Sequence, residues 1–363
     1  MYVIGLMSGT SLDGLDIAYC EFSETEGLRY NLLAAETYPY PQQWVDRLST
    51  LENASAYEYA LSNVELGHYF GKCVNRFREA HPGKVDLIAS HGHTIFHQPH
   101  LGLTTQIADG DAIAAETGLP VAFNFRTFDV ALGGQGAPLV PIGDRLLFGD
   151  YDACLNLGGF SNISYEEFGL RKAFDVSPCN MALNALARKL GLEYDKDGFL
   201  ASQGVLDEDV LRKMNALEYY LRPAPKSLGK EWFVENFLPL IESQDSNPSQ
   251  EVQIHKSTNQ HLNNFLRTTV EHIAQQVSKV VSSQAVRTLL VTGGGAKNKF
   301  LVERIAALSP QCSVTIPDHQ VVDYKEAIVF ALLGYLRVKG QNNCLQSVTG
   351  ASRDNCSGQL SGI

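Results

Sequence analysis

Near its N-terminus the sequence reads Gly5-Leu6-Met7-Ser8-Gly9-Thr10-Ser11-Leu12-Asp13-Gly14-Leu15-Asp16. Two apolar runs, Tyr2–Leu6 and Gly14–Phe22, predict strands that are joined by the polar residues between them. A turn so rich in Gly, Ser and Thr can offer N–H groups and hydroxyls to phosphate oxygens, and nearby carboxylates can hold Mg²⁺. It is not a Walker A loop, because no Lys follows and the next element is predicted to be a strand. The stretch therefore predicts a phosphate-binding turn rather than a plain polar hairpin.

The same order of elements occurs twice along the chain. In the first half the sequence predicts a third strand at Leu28–Tyr38, helices near 41–51 and 56–80, a buried strand Val85–Ala89 running into a loop Ser90–Thr94, a helix capped by Asp109 or Asp111 and ending at Gly118, and a strand Pro120–Phe125. After the glycine-rich stretch Leu132–Pro138 it predicts strands at Asp152–Leu157, Phe160–Tyr165, Leu170–Val176 and Arg287–Thr292, helices near 179–190, 205–220, 259–283 and 298–308, and a surface loop at Ser243–Ser257. Glycine turns about 150 residues apart predict two mixed α/β domains of related topology, facing each other across a cleft.

Two later turns resemble the first in position. Asn156-Leu157-Gly158-Gly159-Phe160-Ser161-Asn162 is a weak signal by itself, because Gly-Gly is common in hairpins. Val291-Thr292-Gly293-Gly294-Gly295-Ala296-Lys297-Asn298 leads from a strand into a helix, a setting suited to a nucleotide. The G-x-G-x-x-G dinucleotide pattern is absent from it.

Composition bounds the function. A length of 363 residues favours two domains, and a net charge of −11 argues against a nucleic-acid partner. The seven cysteines include no C-x-x-C pair, which favours a reduced, intracellular protein. No secretory signal is apparent, and the longest apolar stretch, Ala327–Leu336, is about half of a membrane span. We therefore expect a cytoplasmic protein without a membrane partner.

The three turns, in this order, resemble the nucleotide-binding elements of the actin, sugar-kinase and heat-shock-chaperone superfamily: two phosphate turns and then the adenosine turn. Within it the sequence resembles the anhydro-N-acetylmuramic acid kinases over essentially its whole length. The further motifs are Ser90-His91-Gly92-x-Thr94-Ile95-x-His97-x-Pro99, Phe125-Arg126-x-x-Asp129, Gly133-Gly134-Gln135-Gly136-Ala137-Pro138-Leu139-Val140-Pro141, Phe174-Asp175 with Pro178 and Asn180, Lys325-Glu326-Ala327 and Ser347-Val348-Thr349-Gly350-Ala351.

The resemblance implies an α/β fold of two related ribonuclease-H-like domains, each a mixed β-sheet plus helices, flanking an interdomain ATP/sugar cleft. We expect the N-terminal phosphate- and sugar-binding domain at 1–128 with a tail at about 340–363, and the nucleotide-binding domain at 129–339. The implied reaction is ATP-dependent hydrolytic opening of 1,6-anhydro-N-acetylmuramic acid and its phosphorylation to N-acetylmuramic acid 6-phosphate, in cell-wall sugar recycling. ATP and Mg²⁺ would be the cofactors, and the amino sugar would be the other small-molecule partner. The sequence is compatible with a homodimer but does not determine the oligomeric state.

The resemblance also assigns roles to residues. Asp175 would be the catalytic base, although a helix-capping role is the structural alternative. The phosphates and Mg²⁺ would be bound by Gly9, Thr10, Ser11, Leu12, Asp13, Gly14, Leu15, Asp16, Gly158 and Gly159, with Mg²⁺ carried by ATP and Asp13 and Asp16 as its candidate protein ligands. Adenosine would meet Gly293, Gly294, Gly295 and Asn298. The sugar would meet His91, Thr94, Arg126, Asp129 and Glu326, unless Glu326 is instead an ion-pair partner of Lys325 or Arg126.

Three positions depart from the usual family pattern. Ser177-Pro178-Cys179-Asn180 stands where Gly-Pro-Gly-Asn is usual, His93 where Gln is usual, and Asn124 where Asp is usual. We expect these changes to bear on substrate detail more than on the reaction.

Two other classes of protein fit parts of the sequence. His91, His93 and His97 share odd parity, so an extended segment would point them to one side, and Asp109 and Asp111 follow. That pattern could serve a metal-dependent hydrolase. A non-catalytic, ATP-gated module of the actin or chaperone type is the second alternative, although 363 residues leave no extra polymerisation or substrate-binding domain.

Overall fold

The computed structural model describes residues 1–24, 27–242 and 254–362. Its contacts divide the chain into two compact units, Met1–Gly149 with Tyr324–Ile363, and Asp150–Asp323. These boundaries differ from the predicted 128/129 and 339/340. The reason is packing: Leu139 and Ile142 lie in the core of the first unit, together with the apolar helix residues from Ala327 to Leu336.

The first unit is built on one mixed sheet. Its strands are β1 Tyr2–Ser8, β2 Gly14–Ser23, β3 Arg29–Pro39, β4 Leu87–Gln98, β5 Leu103–Ile107, β6 Val121–Phe123 and β12 Gln359–Ser361. Its helices are α1 Gln42–Thr50, α2 Ala56–Ala80, α3 Gly110–Thr117, α4 Thr127–Ala131, α5 Pro141–Leu147, α13 His319–Val338 (which begins in the second unit) and α14 Gln346–Thr349, with 3₁₀ turns at Leu51–Asn53 and Pro99–Leu101. The strand order is β12-β6-β4-β1-β2-β3, and β5 pairs with β4.

Helices cover both faces of this sheet. On one face, Leu66, Phe70 and Phe77 of α2 pack with Ile4 and Leu6 of β1. On the other face α13 comes so close that a Cβ at Gly5 would lie 2.0 Å from the Ala327 carbonyl oxygen, so only glycine fits there. The sequence predicted α2 with its bounds, and a Ser55–Glu58 capping box fixes the start of this helix.

One predicted loop of the first unit is a strand. Ser90–Thr94 was predicted as a loop, but β4 continues through it to Gln98, pairing in parallel with β1 and antiparallel with β5. The glycine in this stretch, Gly92, has φ of +75°, and a Cβ there would meet the Ile107 carbonyl oxygen at 2.4 Å. The His-Gly-His sequence is therefore part of a strand, at a position where the paired strand β5 lies too close for a side chain.

The second unit repeats the topology of the first. Its strands are β7 Ala153–Leu157, β8 Phe160–Glu167, β9 Leu170–Pro178, β10 Thr288–Thr292 and β11 Ser313–Thr315, in the order β11-β10-β7-β8-β9. β7, β8 and β9 form an antiparallel meander, and β10 pairs in parallel with β7, as β4 does with β1. The prediction of two related mixed α/β domains is thereby confirmed.

The helices of the second unit lie largely after the meander. They are α6 Asn180–Lys189, α7 Phe199–Gln203, α8 Glu208–Asn215, α9 Lys230–Trp232, α10 Leu238–Glu242, α11 Ile254–Ser283 and α12 Lys299–Leu308, with 3₁₀ turns at Lys196–Gly198, Glu218–Leu221 and Gly294–Lys297 and a π turn at Phe233–Phe237. The predicted single helix 205–220 is thus broken after Asn215. The predicted loop Ser243–Ser257 lies outside the described residues as far as 253, and its last residues begin α11. In the described part of the chain, no helix is long and apolar enough to cross a membrane.

Candidate functional site

The first predicted phosphate turn is a tight, exposed connection between β1 and β2. The Leu12 N–H donates a 3.3 Å hydrogen bond to the Gly9 carbonyl oxygen, and Leu12 has φ of +61°. Ser11 Oγ donates to Asp13 Oδ1 at 2.9 Å. The backbone at Gly9 is open: a Cβ there would meet the Ser11 hydroxyl at 3.3 Å and the Ser11 nitrogen at 4.0 Å. The turn thus presents small polar groups around an unobstructed backbone position.

Two residues predicted in this turn belong to the fold instead. Gly14 begins β2, and a Cβ there would lie 2.5 Å from the Tyr38 carbonyl oxygen, so strand packing explains the glycine. The Leu15 side chain is fully buried in the core and cannot reach a ligand. Asp16, in contrast, keeps part of its surface, and its Oδ1 accepts a 2.6 Å hydrogen bond from Thr37 Oγ1.

A buried polar cluster holds the end of β1 next to this turn. Ser8 Oγ lies 2.7 Å from the Tyr40 hydroxyl and 2.8 Å from His93 Nδ1, and all three residues are buried. Burial lowers the pKa of His93 to about 4, so the ring is neutral at pH 7. His93, one of the departures from the family pattern, therefore anchors the strand that leads into the turn.

A second histidine of β4 orients Arg126. Arg126 Nε donates to His91 Nε2 at 3.0 Å, and its Nη1 donates to the Gly136 carbonyl oxygen at 2.7 Å. Burial, aided by the charge of Arg126, holds the pKa of His91 well below its ordinary value, so this ring accepts while uncharged. The guanidinium is fixed by neutral acceptors rather than neutralised by a carboxylate.

Glu326 is not an ion-pair partner of its neighbour in sequence. Lys325 Nζ instead lies 2.6 Å from Asp144 Oδ1, in a buried pair. Within the described ranges the Glu326 carboxylate has no hydrogen bond or salt bridge, and its side chain is exposed. The structure leaves Glu326 available to a ligand.

Asp129 has an internal role that differs from the predicted sugar contact. It is completely buried, and its carboxylate accepts hydrogen bonds from Gly136 N at 2.8 Å, Thr349 Oγ1 at 2.9 Å and Asn355 Nδ2 at 2.8 Å. Asp129 therefore ties the glycine-rich loop after α4 to the C-terminal segment. Asp129 thereby holds the loop whose Gly136 carbonyl oxygen accepts from Arg126.

The three histidines of β4 do not form a metal site. Among the residues with described positions, no group of three His, Cys, Asp or Glu side chains could hold a metal ion. The parity argument fails because of the positive φ at Gly92 and a register shift between Thr94 and Phe96. His97 instead bonds Thr104 Oγ1 at 3.1 Å. The described residues therefore give no support to the alternative function of a metal-dependent hydrolase.

Asp175 lies in β9 beside a β-bulge. Across the sheet Ser161 faces Ser177 while Asn162 faces Asp175, which leaves Val176 as the extra residue. The strand continues to Pro178, so Asp175 does not end it, and the residue before α6 is Cys179, not Asp175. The capping alternative is therefore excluded. Burial raises the pKa of the Asp175 carboxyl, partly opposed by the Leu228 N–H that donates to Oδ2 at 2.8 Å.

The second and third predicted turns lie together in the second unit. The Cys179 and Met181 N–H groups both donate to the Gly159 carbonyl oxygen, at 2.8 and 3.1 Å, so the first turn of α6 holds the Gly158-Gly159 turn. A Cβ at Gly295 would lie 2.7 Å from the Leu157 Cβ, which puts the glycine-rich turn after β10 against the end of β7.

The glycines of these two turns differ in what surrounds them. At Gly159 and Gly294 an added Cβ would meet one atom each, at 3.9 and 3.6 Å. At Gly293, which has φ of +81°, it would meet Asn156 Oδ1 at 2.4 Å. Asn298 Oδ1 accepts from Leu301 N at 3.0 Å and so caps α12. Gly294 and Gly159 are consequently the open positions of their turns.

Known proteins settle the family. The family model described as anhydro-N-acetylmuramic acid kinase matches residues 1–361. The chain belongs to the anhydro-N-acetylmuramic acid kinase family. The family member from Pasteurella multocida is 37% identical over 371 residues, covering 97% of this chain and 94% of the relative. The member from Vibrio cholerae is 36% identical over 368 residues, covering 96% and 95%. Each relative carries the family's name as its own, and this chain is accordingly an enzyme, a kinase.

Solved structures resemble this chain more distantly. The activator of the 2-hydroxyisocaproyl-CoA dehydratase from Clostridium difficile, with bound ADPNP, is 12% identical, covers 93% of this chain and 96% of its own, and gives a TM-score of 0.45. A ROK family glucokinase from Streptomyces griseus, in complex with glucose and AMPPNP, is 11% identical, covers 92% and 99%, and gives 0.43.

The other family departures fit locally. Asn124 has φ of +58°, a conformation that Asn tolerates better than most residues, and it accepts a hydrogen bond from the Thr127 hydroxyl. Cys179 is fully buried at the start of α6, and burial raises the pKa of its thiol to about 12, so it is not a nucleophile. Both departures are compatible with the packing around them.

Proposed function

We propose that this kinase uses ATP to convert 1,6-anhydro-N-acetylmuramic acid to N-acetylmuramic acid 6-phosphate, in the recycling of cell-wall sugar. Water would add to the anomeric carbon, the bond between carbon 1 and the bridging oxygen would break, and that oxygen would attack the γ-phosphorus of ATP. The proton of the water passes to Asp175, and ADP leaves. The observation that carries this mechanism is the environment of the Asp175 carboxylate.

Asp175 suits a general base for two reasons. Burial raises its pKa, which makes the carboxylate a better proton acceptor than an exposed one. Its Oδ2 is bound by the Leu228 N–H, while Oδ1 has no hydrogen-bond partner within the described ranges. One oxygen thus holds the group in place, and the other is left to receive a proton.

The open glycine turns would bind the phosphates of ATP. Backbone N–H groups near Gly9 and Gly159 can approach phosphate oxygens closely because no Cβ intervenes. Asp13 and Asp16 supply carboxylate oxygens, the donors that Mg²⁺ prefers, and an ATP-bound Mg²⁺ would neutralise charge on the phosphates. Gly294 would face the adenosine, with the Asn298 side-chain amide as a further contact.

The sugar would meet the polar groups around Arg126. Its guanidinium is oriented by His91 and keeps its charge, so it suits the carboxylate of the muramic acid. Glu326 is free to accept hydrogen bonds from sugar hydroxyls. Thr94 Oγ1 accepts a 3.3 Å hydrogen bond from Gln106 and retains its own proton to donate.

The test follows one oxygen atom. In ¹⁸O-labelled water, quenched before the anomeric hydroxyl exchanges, label should enter the sugar at carbon 1 and none should enter the phosphate. Asp175→Asn keeps the shape of the side chain but cannot take the proton. Ring opening and phosphoryl transfer should therefore fall together, by about 10²–10⁴-fold, with substrate binding retained.

A matched control uses another carboxylate of the same unit. Asp207 caps α8 by accepting from Asp209 N and Val210 N, and Asn caps as well as Asp, so Asp207→Asn should keep the wild-type rate. An Asp175→Asn enzyme with near wild-type turnover would eliminate Asp175 as the base. Label in the phosphate would mean ATP hydrolysis and would eliminate the coupled reaction.

A further inference from the structure

One segment binds three polar groups of Asp175. The Tyr219 hydroxyl donates to the Asp175 carbonyl oxygen at 2.5 Å, and the Asp175 N–H donates to the Lys226 carbonyl oxygen at 3.2 Å. The Leu228 N–H donates to Asp175 Oδ2 at 2.8 Å. We name Tyr219, Lys226 and Leu228 the clasp. They lie 44 to 53 residues beyond Asp175, and no sequence motif pointed to them.

The clasp is also fastened to itself. Lys226 Nζ donates to the Tyr219 carbonyl oxygen at 3.1 Å, and its ammonium lies 4.6 Å from the centre of the Tyr219 ring and 5.8 Å from that of Phe174. The Tyr219 ring is 2% exposed and packs against Trp232 at 5.3 Å between ring centres. Tyr219 and Lys226, which both bind the backbone of Asp175, are therefore held at a fixed separation from each other.

We propose that the clasp positions Asp175 for catalysis and makes Oδ1 its proton-accepting atom, with Tyr219 as a positioning residue. A carboxylate rotates readily about its last torsion, and its two oxygens are equivalent until a neighbour distinguishes them. The bulge at Val176 interrupts the pairing of β9 directly after Asp175, and the Asp175 N–H bonds the Lys226 carbonyl oxygen of the clasp. The clasp supplies the missing contacts on both the backbone and Oδ2. This inference rests on the proposed function, in which Asp175 is the base.

Adjacent tyrosines provide a matched pair of variants. Tyr219→Phe deletes the hydroxyl that touches Asp175, whereas Tyr220→Phe deletes a buried hydroxyl that lies 2.8 Å from His272 Nε2. Tyr219→Phe should lower kcat about tenfold and leave KM for ATP and for the sugar within about twofold, because the ring still packs. Tyr220→Phe should keep kcat within about twofold. In an Asp175→Asn background, Tyr219→Phe should cause no further loss, since the base it positions is gone.

A pH profile tests the choice of oxygen. Leu228→Pro removes the N–H that stabilises the carboxylate, so the pKa of Asp175 rises and the acidic limb of kcat moves up by about one pH unit. Leu228→Ala keeps the N–H and should leave the limb in place. If Tyr219→Phe does not fold, the two Leu228 variants still test whether the clasp acts on Asp175. If Leu228→Pro does not fold, the two tyrosine variants test the same point.

The outcomes separate the two proposals. Equal kcat for Tyr219→Phe and Tyr220→Phe, with Asp175→Asn inactive, would overturn the clasp and keep the base. Equal acidic limbs for Leu228→Pro and Leu228→Ala would overturn the assignment of Oδ1. An active Asp175→Asn enzyme would overturn the proposed function itself.

Discussion

Gly9→Ala is expected to weaken MgATP binding without weakening the fold. In the protein alone, the tightest contact of the new methyl group is with the Ser11 hydroxyl, at 3.3 Å, and a small side-chain rotation relieves it. If a phosphate oxygen approaches the backbone here, the methyl displaces one charge-assisted hydrogen bond, which contributes about 1.5–3 kcal/mol. At about 1.4 kcal/mol per factor of ten, the Kd for MgATP should rise by roughly 10- to 100-fold. Calorimetric titration measures the Kd, and thermal unfolding should give a Tm within about 2 °C of wild type.

Gly14→Ala is the matched control for this experiment. Its methyl would lie 2.5 Å from the Tyr38 carbonyl oxygen, a backbone atom that cannot rotate away. Overpacking of this kind costs about 1–3 kcal/mol, and Tm should fall by roughly 2–12 °C. The folded fraction should still bind MgATP. Wild-type affinity in folded Gly9→Ala would remove this turn from the nucleotide site, and a wild-type Tm for Gly14→Ala would refute the packing argument.

Two further predictions concern buried polar groups. Asp129→Ala leaves three donors without their acceptor, so the free energy of unfolding in urea titrations should fall by about 2–5 kcal/mol. The KM for ATP should be unchanged in the folded protein. An unchanged free energy of unfolding would contradict the internal role of Asp129. Burial lowers the pKa of His272 to about 3, so the folded state keeps this ring neutral while the unfolded state binds a proton below about pH 6.5. Stability should therefore fall with decreasing pH from about 6.5 towards 3, by up to about 1.4 kcal/mol per pH unit from this ring, and His272→Gln should show a shallower dependence. An equal slope in the variant would exclude His272 as the source.

The sequence predicted the elements that have clear local signals. The capping box at Ser55 and the glycine at the end of α3, Gly118, carry their own start and stop chemistry, and both helices have the predicted bounds. The repeat of a three-strand meander was also visible, because each strand is a short apolar run. Localisation in the cytoplasm stays a prediction.

The errors arose where contacts between distant residues decide the structure. A His-Gly-His sequence is typical of a loop, yet Gly92 lies inside β4 because Ile107 of the neighbouring strand passes too close for a side chain. The acid at 129 looks like a ligand contact in its motif, but its partners Thr349 and Asn355 lie some 220 residues away in the chain. The clasp on Asp175 has the same origin. No local pattern could have assigned these residues.

The glycines of the three turns show why a motif alone does not define a site. In each turn one glycine leaves open space where a side chain would be, namely Gly9, Gly159 and Gly294. At a second glycine that space is taken by protein atoms. An added Cβ would meet them within 2.5 Å at Gly14 and Gly293, and within 3.3 Å at Gly158. Both kinds look alike in the sequence. The obstructed glycines let the strands and the neighbouring turn approach closely. That approach holds the open glycines in place, so the open positions of the proposed site depend on the obstructed positions that the fold already occupies.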